Sequence, residues 1–116
     1  MIKTIARLLS ILFLTIAALN LTCTSPAIAA DLARGAEIFN ANCAGCHANG
    51  GNIVRRNKTL KLKALSKFGM DSVAAIAEIV AKGKNNMSAY KERLSDREIE
   101  DVATYVLTQA ESGWRN

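Results

Sequence analysis

The sequence predicts an all-α domain of three to four helices around a group that is not protein. Every clear period in the hydrophobic pattern after residue 30 is helical. No segment alternates with a period of two for long enough to predict a strand. The glycine-bearing loops between the helices are too long for an idealised bundle, which indicates that a non-protein group fills the middle.

The first helix is predicted to begin after Asp31, whose short acceptor side chain suits an N-cap. The apolar residues that follow have spacings of four, three and four, so they are expected to form its buried face: Leu32, Ala36, Phe39 and Cys43.

Two shorter helices are predicted in the middle of the chain. A basic helix lies within Thr59–Phe68 and ends at Gly69, since glycine readily takes the left-handed conformation after a helix. A third helix begins after Asp71 or Ser72 and runs to about Lys82, again with a glycine behind it.

The last helix has the strongest signal. Ser95-Asp96-Arg97-Glu98 is a capping box, in which the serine and glutamate side chains bond each other's backbone amide. One continuous apolar stripe then follows at helical spacing: Ile99, Val102, Ala103, Val106, Leu107 and Ala110.

Composition limits the class of protein. The 116 residues carry 15 Lys and Arg against 10 Asp and Glu, a formal net charge of +5, and half of them are apolar. This length predicts one small domain and excludes doubly wound α/β enzymes and barrels. The apolar content argues against disorder.

Residues 1–29 are predicted to be a secretory signal peptide that is cleaved. It has a positive start, an apolar run too short to span a membrane, and small residues for cleavage: Lys3 with Arg7, Leu8–Leu21, and Ala27-Ile28-Ala29. Cleavage after Ala29 or Ala30 leaves residues 30–116 as the domain. A lipoprotein anchored through Cys23 is the alternative, but Thr22 is a poor residue before such a cysteine.

Cys43-Ala44-Gly45-Cys46-His47 is the C-x-x-C-H pattern of c-type haem attachment. Two thiols three residues apart on a helical turn can reach the two vinyl groups of a haem. The imidazole that follows can then bind the iron. Export fits this chemistry, because the attachment is normally made outside the cytoplasm.

Three other interpretations of the motif remain. A structural zinc site needs four protein ligands, and two cysteines with the single histidine are one short. A thioredoxin-like dithiol would place C-x-x-C beside a βαβ unit, which the pattern does not predict. A plain disulfide between the two cysteines is grouped with this interpretation. The motif can also occur by chance.

The sixth position of the iron separates a carrier from a ligand-binding protein. Met70 lies at the start of the third helix, where methionine usually fills the core. Met87 lies in the polar segment 84–90, where no apolar helical face is available to bury its side chain. We therefore expect Met87 to be the ligand opposite His47. Histidine–methionine ligation favours reduced iron and leaves no open position for substrate chemistry.

Residues 30–116 resemble cytochrome c6, the small lumenal haem protein of cyanobacteria and algae. The matching segments follow in order and at the family spacing: 35–39, 42–48, 58–61, 83–87, 93–95 and 99–107. The resemblance implies a class I cytochrome c fold of four helices around one haem c per chain. It also implies thioether bonds at Cys43 and Cys46, with His47 and Met87 as the axial ligands.

The resemblance extends to function and to one helix crossing. It implies a monomeric carrier of single electrons, not an enzyme, in the thylakoid lumen, with the periplasm as the alternative. Cytochrome f of the cytochrome b6f complex would be the donor and photosystem I the acceptor. Whether a terminal oxidase is a further acceptor stays open.

In this family a glycine lets aromatic rings approach where the first and last helices cross, and Gly35, Phe39 and Tyr105 match that arrangement.

Three departures from the family pattern are expected to matter. Met87-Ser88-Ala89-Tyr90 replaces the usual Met-Pro-Ala-Phe, and loss of the proline should loosen the ligand loop. Ile79 replaces a glutamine near the haem, which predicts a lower reduction potential. Asn49 and Arg55-Arg56 make the segment after the motif unusually polar and basic. Together they resemble a divergent, lower-potential branch of the family.

No acidic residue occurs between Ile38 and Met70, although six basic residues do: Arg55, Arg56, Lys58, Lys61, Lys63 and Lys67. They predict either a solvated helix face or a positive surface that steers the protein to acidic docking sites. The family match assigns Lys58 a contact with a haem propionate and Arg93 a contact with the photosystem. Nucleic acid is not expected as a partner, because the basic residues lack interleaved aromatics.

The sequence is therefore consistent with two functions. The first is a diffusible electron carrier with both axial positions filled. The second is a haem-based sensor, or a ligand-binding or peroxidatic protein, in which Met87 is labile.

Overall fold

The computed structural model describes residues 1–9 and 29–115. Residues 2–9 are helical. The domain then contains five α-helices and one 3₁₀ turn: α1 (Leu32–Asn42), α2 (Ala44–His47), the 3₁₀ turn (Ala48–Gly50), α3 (Leu62–Lys67), α4 (Val73–Lys82) and α5 (Asp96–Glu111). Within those described ranges there is no strand, only one isolated bridge between Lys84 and Met87. The all-α prediction is confirmed, whereas α2 and the 3₁₀ turn were not predicted.

Most of the predicted signal peptide lies outside the described residues. Its apolar run from residue 10 onward, Cys23 and the small residues up to position 28 all fall there. The cleavage site and the lipoprotein alternative therefore stay predictions. In the part of the chain that the structure does describe, no helix is long and apolar enough to cross a membrane.

The predicted N-caps form as expected. The Asp31 carboxylate accepts a hydrogen bond from the backbone amide of Arg34, 3.0 Å away. Ser72, rather than Asp71, caps α4 by accepting from the amide of Ala75. The Ser95 and Glu98 side chains make the reciprocal bonds of a capping box at the start of α5.

Helix α3 ends in the way its glycine predicts. Gly69 has a φ of +67°, and its amide donates to the carbonyl of Ser66 at 3.2 Å. The next amide, of Met70, donates to the carbonyl of Leu65 at 2.8 Å. This pair of bonds is a Schellman motif, and it turns the chain sharply from α3 toward α4. The helix begins only at Leu62, inside the predicted range.

The core forms where α1 and α4 pack against α5. The apolar stripe of α5 is buried as predicted, except that Leu107 is only half-buried. The buried apolar residues come from four helices: Ile38, Phe39, Leu65, Ile76, Val80, Ile99, Val102, Ala103, Val106 and Ala110.

The predicted buried face of α1 was right only in part: Phe39 is buried as predicted, and Ala36 is half-buried. Leu32 is 44% exposed, and Cys43 lies beyond the end of the helix. The buried residues are Gly35, Ile38 and Phe39. The reason is the crossing with α5, which occurs at Gly35: a Cβ there would overlap the backbone carbonyl of Asp101. The crossing rotates α1 so that Gly35 and Ile38 face the core together with Phe39, while Leu32 does not.

An aromatic cluster closes the crossing of α1 and α5. The Phe39 ring lies 5.5 Å from the Tyr105 ring and 5.3 Å from the Trp114 ring, centroid to centroid. The Trp114 indole also donates to the carbonyl of Leu60 at 3.0 Å. Tyr105 was predicted at this place. Trp114 was not, because it lies beyond the last periodic segment.

Candidate functional site

A cavity of about 330 Å³ lies between the helices. The predicted site residues that line it are Cys43, Cys46, His47, Lys58, Ile79 and Met87, and Met70 lines it as well. Much of the remaining wall is apolar core: Phe39, Leu65, Ile76, Val80, Val102 and Val106. The volume is in the range of cofactor sites in proteins.

The orientation of His47 follows from a break between α1 and α2. Cys43 ends α1 and begins the single turn of α2, and the amide of His47 donates to the Cys43 carbonyl at 2.9 Å. The His47 Nδ1 lies 2.8 Å from the carbonyl oxygen of Gly51. Because a carbonyl can only accept, Nδ1 carries the proton and Nε2 keeps its lone pair. This is the tautomer that a histidine ligand of iron needs.

Cys43 and Cys46 are not joined to each other by a disulfide bond, and they differ in exposure. Cys46 is exposed and Cys43 is partly buried. Burial, with a smaller contribution from Cys46, raises the pKa of the Cys43 thiol to about 11. The described residues contain no group of three or more His, Cys, Asp or Glu that could hold a metal ion. The zinc alternative therefore has no ligand set in that part of the chain.

Met87 sits in a tight loop after α4. The amide of each of Lys84 and Met87 donates to the carbonyl of the other, both at 3.0 Å. Gly83 precedes them with a φ of +68°, and a Cβ there would lie 2.6 Å from the Met87 carbonyl oxygen. The loop is therefore closed on its own backbone. The Met87 side chain is half-buried and packs against the core.

Tyr90 ties this loop to the rest of the fold. Its amide donates to the carbonyl of Val80 on α4, and its hydroxyl donates to the carbonyl of Asn42 at the end of α1, both at 3.0 Å. The Arg93 guanidinium lies 4.3 Å from the centre of the Tyr90 ring. The loss of proline predicts a loosened loop, and these tethers were not predicted. The sequence feature that could have indicated the tether is the hydroxyl group of Tyr90, because the family pattern has phenylalanine, which cannot donate a hydrogen bond, at this position.

Met70 and Ile79 both line the cavity. Met70 is half-buried and packs against the core, in agreement with its interpretation as core. Ile79 lines the cavity with an apolar side chain. Its effect on the reduction potential stays a prediction.

Of the predicted basic residues, Arg55 lines the cavity and Arg56 is exposed. The five that were assigned to a haem contact or to docking separate into three places. Lys58 lines the cavity, with its ammonium 4.8 Å from the Phe68 ring. Lys61, Lys63 and Lys67 are exposed around a shallow depression of about 260 Å³ along α3, here named the α3 basic surface. Arg93 lies apart from both, on Tyr90. Within residues 1–9 and 29–115 no salt bridge engages any of these five.

The residues present fit a covalent haem. Two thiols three residues apart, a histidine with a free Nε2, and a thioether line one largely apolar cavity. This donor set is the one that c-type cytochromes use. The fold and the site together define a class I c-type cytochrome.

Comparison with known proteins identifies the family. The family model described as cytochrome c oxidase, cbb3-type, subunit III matches residues 30–106. Cytochrome c6 of Synechococcus sp. (strain ATCC 27167 / PCC 6312) is 53% identical over 107 residues, which cover 92% of this chain and 96% of that protein. The chain belongs to the cytochrome c6 family.

Two other relatives agree with this assignment. A protein of Nostoc sp. (strain PCC 7120) named cytochrome c6-like is 56% identical over 109 residues, 94% of this chain and 98% of its own. The crystal structure of cytochrome c6C from Synechococcus sp. PCC 7002 has 58% identity and a TM-score of 0.67, and the match covers 68% of this chain and 96% of that one. The protein is therefore an electron-transfer protein with covalently bound haem c, not an enzyme.

Proposed function

We propose that this protein carries single electrons from cytochrome f of the cytochrome b6f complex to photosystem I, with one haem c per chain and as a monomer. One observation carries the proposal: the C-x-x-C-H segment and Met87, far apart in sequence, line the same cavity. A carrier needs both axial positions filled, and this arrangement offers one donor from each segment.

Each residue of the site has a separate task. Cys43 and Cys46 would hold the haem by thioether bonds, and His47 Nε2 and Met87 Sδ would be the axial ligands. The bound haem supplies a one-electron couple of ferric and ferrous iron. The Gly51 carbonyl fixes the His47 ring, and the closed loop fixes Met87. Ligands held in this way move little when the charge of the site changes, which suits rapid electron exchange.

The α3 basic surface and Arg93 are proposed to dock with partners. Lys61, Lys63 and Lys67 have no acidic partner within the described ranges, so their positive charges remain available to attract an acidic surface. Redox encounters are small and transient, so these charges would raise association rates more than affinity. Lys58, at the edge of the cavity, would contact a haem propionate.

The protein is proposed to be a lower-potential member of its family. An apolar Ile79 at the cavity removes a polar neighbour of the haem. Relatives named cytochrome c6-like and cytochrome c6C are among the proteins similar to this chain.

Residues 1–29 are proposed to direct export to the thylakoid lumen, or to the periplasm, and then to be removed. The positive start, the short apolar run and the small residues before position 30 support this proposal.

A ligand-binding experiment separates the carrier from the sensor. The mature holoprotein is made in cells equipped for cytochrome c maturation, and carbon monoxide or cyanide is added to the reduced or oxidised form. We expect almost no spectral change in the parent protein. Met87→Leu should bind carbon monoxide readily and have a sharply lower midpoint potential, because the sixth position opens.

Met70→Leu is the matched control, since Met70 lines the same cavity. It should behave like the parent. An unchanged midpoint potential in Met87→Leu would exclude Met87 as the ligand. Rapid carbon monoxide binding by the parent would favour the sensor.

The proposed acceptor has a direct test. Oxidation of the reduced protein by photosystem I particles after a flash should slow as ionic strength rises, and slow further when Lys61, Lys63 and Lys67 are changed to glutamine. A midpoint potential well below that of cytochrome f would contradict the proposed donor.

A further inference from the structure

Asp101, on α5, is a buried carboxylate that is only half satisfied. Its side chain is 1% exposed. The Oδ1 atom accepts from the backbone amide of Asp31 at 2.8 Å and from the Arg97 Nε at 3.2 Å. The Oδ2 atom is buried and has no hydrogen-bond partner. A buried carboxylate oxygen without a hydrogen bond costs free energy of folding, so a donor that bonded to this atom would stabilise the protein.

The chain that enters α1 passes directly over this carboxylate. Asp31, the N-cap of α1, already donates its amide to it. The Arg97 Nη2 also reaches this segment and donates to the carbonyl of Ala29 at 2.6 Å. The predicted cleavage of the signal peptide, after Ala29 or Ala30, falls on the same three residues.

We propose that Asp101 is the binding site for the primary ammonium group at the N-terminus of the mature chain, and that removal of the signal peptide completes the site. The inference rests on the export proposed above. Cleavage after Ala30 would turn the Asp31 nitrogen, now 2.8 Å from Oδ1, into the ammonium itself. Cleavage after Ala29 would place the ammonium on Ala30, whose nitrogen is about 3.8 Å or less from that of Asp31. Hydrolysis of the peptide bond by a signal peptidase leaves the amine on this chain and the carboxylate on the released peptide.

The surrounding charges explain why such an ammonium needs a carboxylate. It would lie at the N-terminus of α1, where the helix dipole is positive. Arg34 and Arg97 are the nearby cations. Arg34 is engaged by Glu98 at 2.8 Å, and the Asp31 carboxylate caps α1. Asp101 is the remaining acid, and its unpaired Oδ2 atom can accept a hydrogen bond from the ammonium.

Arg97 is the competing donor. Cleavage after Ala29 removes the carbonyl that its Nη2 now holds, so the guanidinium could turn to Oδ2 instead. The two alternatives differ in a measurable way, because only the first changes the pKa of the α-amino group.

The test titrates that group in the mature holoprotein. Mass spectrometry first establishes the N-terminal residue. The amine is then labelled by reductive methylation with ¹³C-formaldehyde and followed by NMR against pH. An ion pair in a partly buried setting should raise the pKa of the amine by about one unit or more above the value in Asp101→Asn. Asp96→Asn, an exposed acid on the same helix, is the control and should match the parent.

A second measurement uses stability. Two residues, Gly-Ser, are inserted directly after the cleavage point that mass spectrometry establishes, so that the mature ammonium is displaced. We expect Tm to fall by about 5 °C in the parent and to change little in Asp101→Asn, because the insertion then removes no ion pair.

The outcomes are distinct. A chain that begins at residue 30 or 31, with an amine that titrates alike in the parent and Asp101→Asn, overturns this inference and leaves export standing. A chain cleaved at another position overturns this inference alone, and a chain that keeps residue 1 overturns both this inference and the proposed removal of the signal peptide. Carbon monoxide binding and the midpoint potential report on the electron-carrier proposal alone.

Discussion

The hydroxyl group of Tyr90 is a single polar atom that joins the Met87 loop to the helix end beside Cys43. Tyr90→Phe removes only its hydrogen bond to the Asn42 carbonyl. A bond of this kind contributes about 1 kcal/mol, which corresponds to a roughly fivefold change in the population of a loosened loop. We therefore expect carbon monoxide to bind the reduced variant about fivefold faster than the parent, measured by stopped flow.

The matched control is Tyr105→Phe, whose ring packs on Phe39 away from the Met87 loop. It should bind carbon monoxide at the rate of the parent. Equal rates in Tyr90→Phe and the parent would show that the backbone bonds of the loop suffice to hold Met87.

Ile79 is the residue that we expect to set the potential. Ile79→Gln returns a polar side chain to the cavity wall, and the midpoint potential should rise because the haem regains a polar neighbour. Ile79→Leu keeps the wall apolar and should leave the potential where it is. Potentiometric titration of the three proteins decides the matter. No rise in Ile79→Gln would remove the reason for placing this chain in a lower-potential branch.

At the scale of elements, the Glu98 carboxylate makes two kinds of contact at the start of α5. It completes the capping box with Ser95 and pairs with Arg34 of α1 at 2.8 Å. The hydrogen bond from Arg34, followed by those from Ser95, holds the pKa of Glu98 at about 2, below its ordinary value. The folded state thus favours the carboxylate. Its stabilising effect is complete above about pH 4.5 and disappears as the pH falls toward 2.

Glu98→Gln should therefore make the unfolding free energy less dependent on pH between about 5 and 2. The effect will be modest, since the Arg34 side chain is 55% exposed and solvent screens the pair. Urea unfolding at a series of pH values measures it. Glu100→Gln, an exposed acid on the same helix, is the control. An identical pH slope in the parent and Glu98→Gln would contradict the assignment.

The elements also show where sequence reasoning ends. Caps such as Asp31, Ser72 and Ser95 were predictable, because each depends on bonds within one helical turn. The buried face of α1 was predicted correctly only at Phe39, because the rest of that face depends on a crossing with α5 about 65 residues away in the chain. The C-x-x-C-H motif and Met87 could be chosen from residue type and setting. The Tyr90 tether could not, since its acceptor is a backbone carbonyl on another helix.

At the scale of the whole molecule, the cavity divides the core. Of the ten buried apolar residues found in the part of the chain that the structure describes, six line it, so they pack only partly on one another. A domain of this size buries a marginal share of its surface even without a void. We therefore expect the packing of the helices to depend on contacts with a group in the cavity as well as on contacts between the helices.

Removal of the haem should therefore unfold the domain. Cys43→Ser with Cys46→Ser abolishes covalent attachment while leaving the helix signals unchanged, and the exported chain should show far less helical circular dichroism than the holoprotein. The physical reason is the empty volume: residues such as Phe39 and Val102 would lose their partners on one side, and lost contacts in a core cost several kcal/mol. Single Cys46→Ser, with one thioether left, should keep the haem and the fold. A cooperative thermal transition in the haem-free double variant would mean that packing of α1 and α4 on α5 is sufficient by itself.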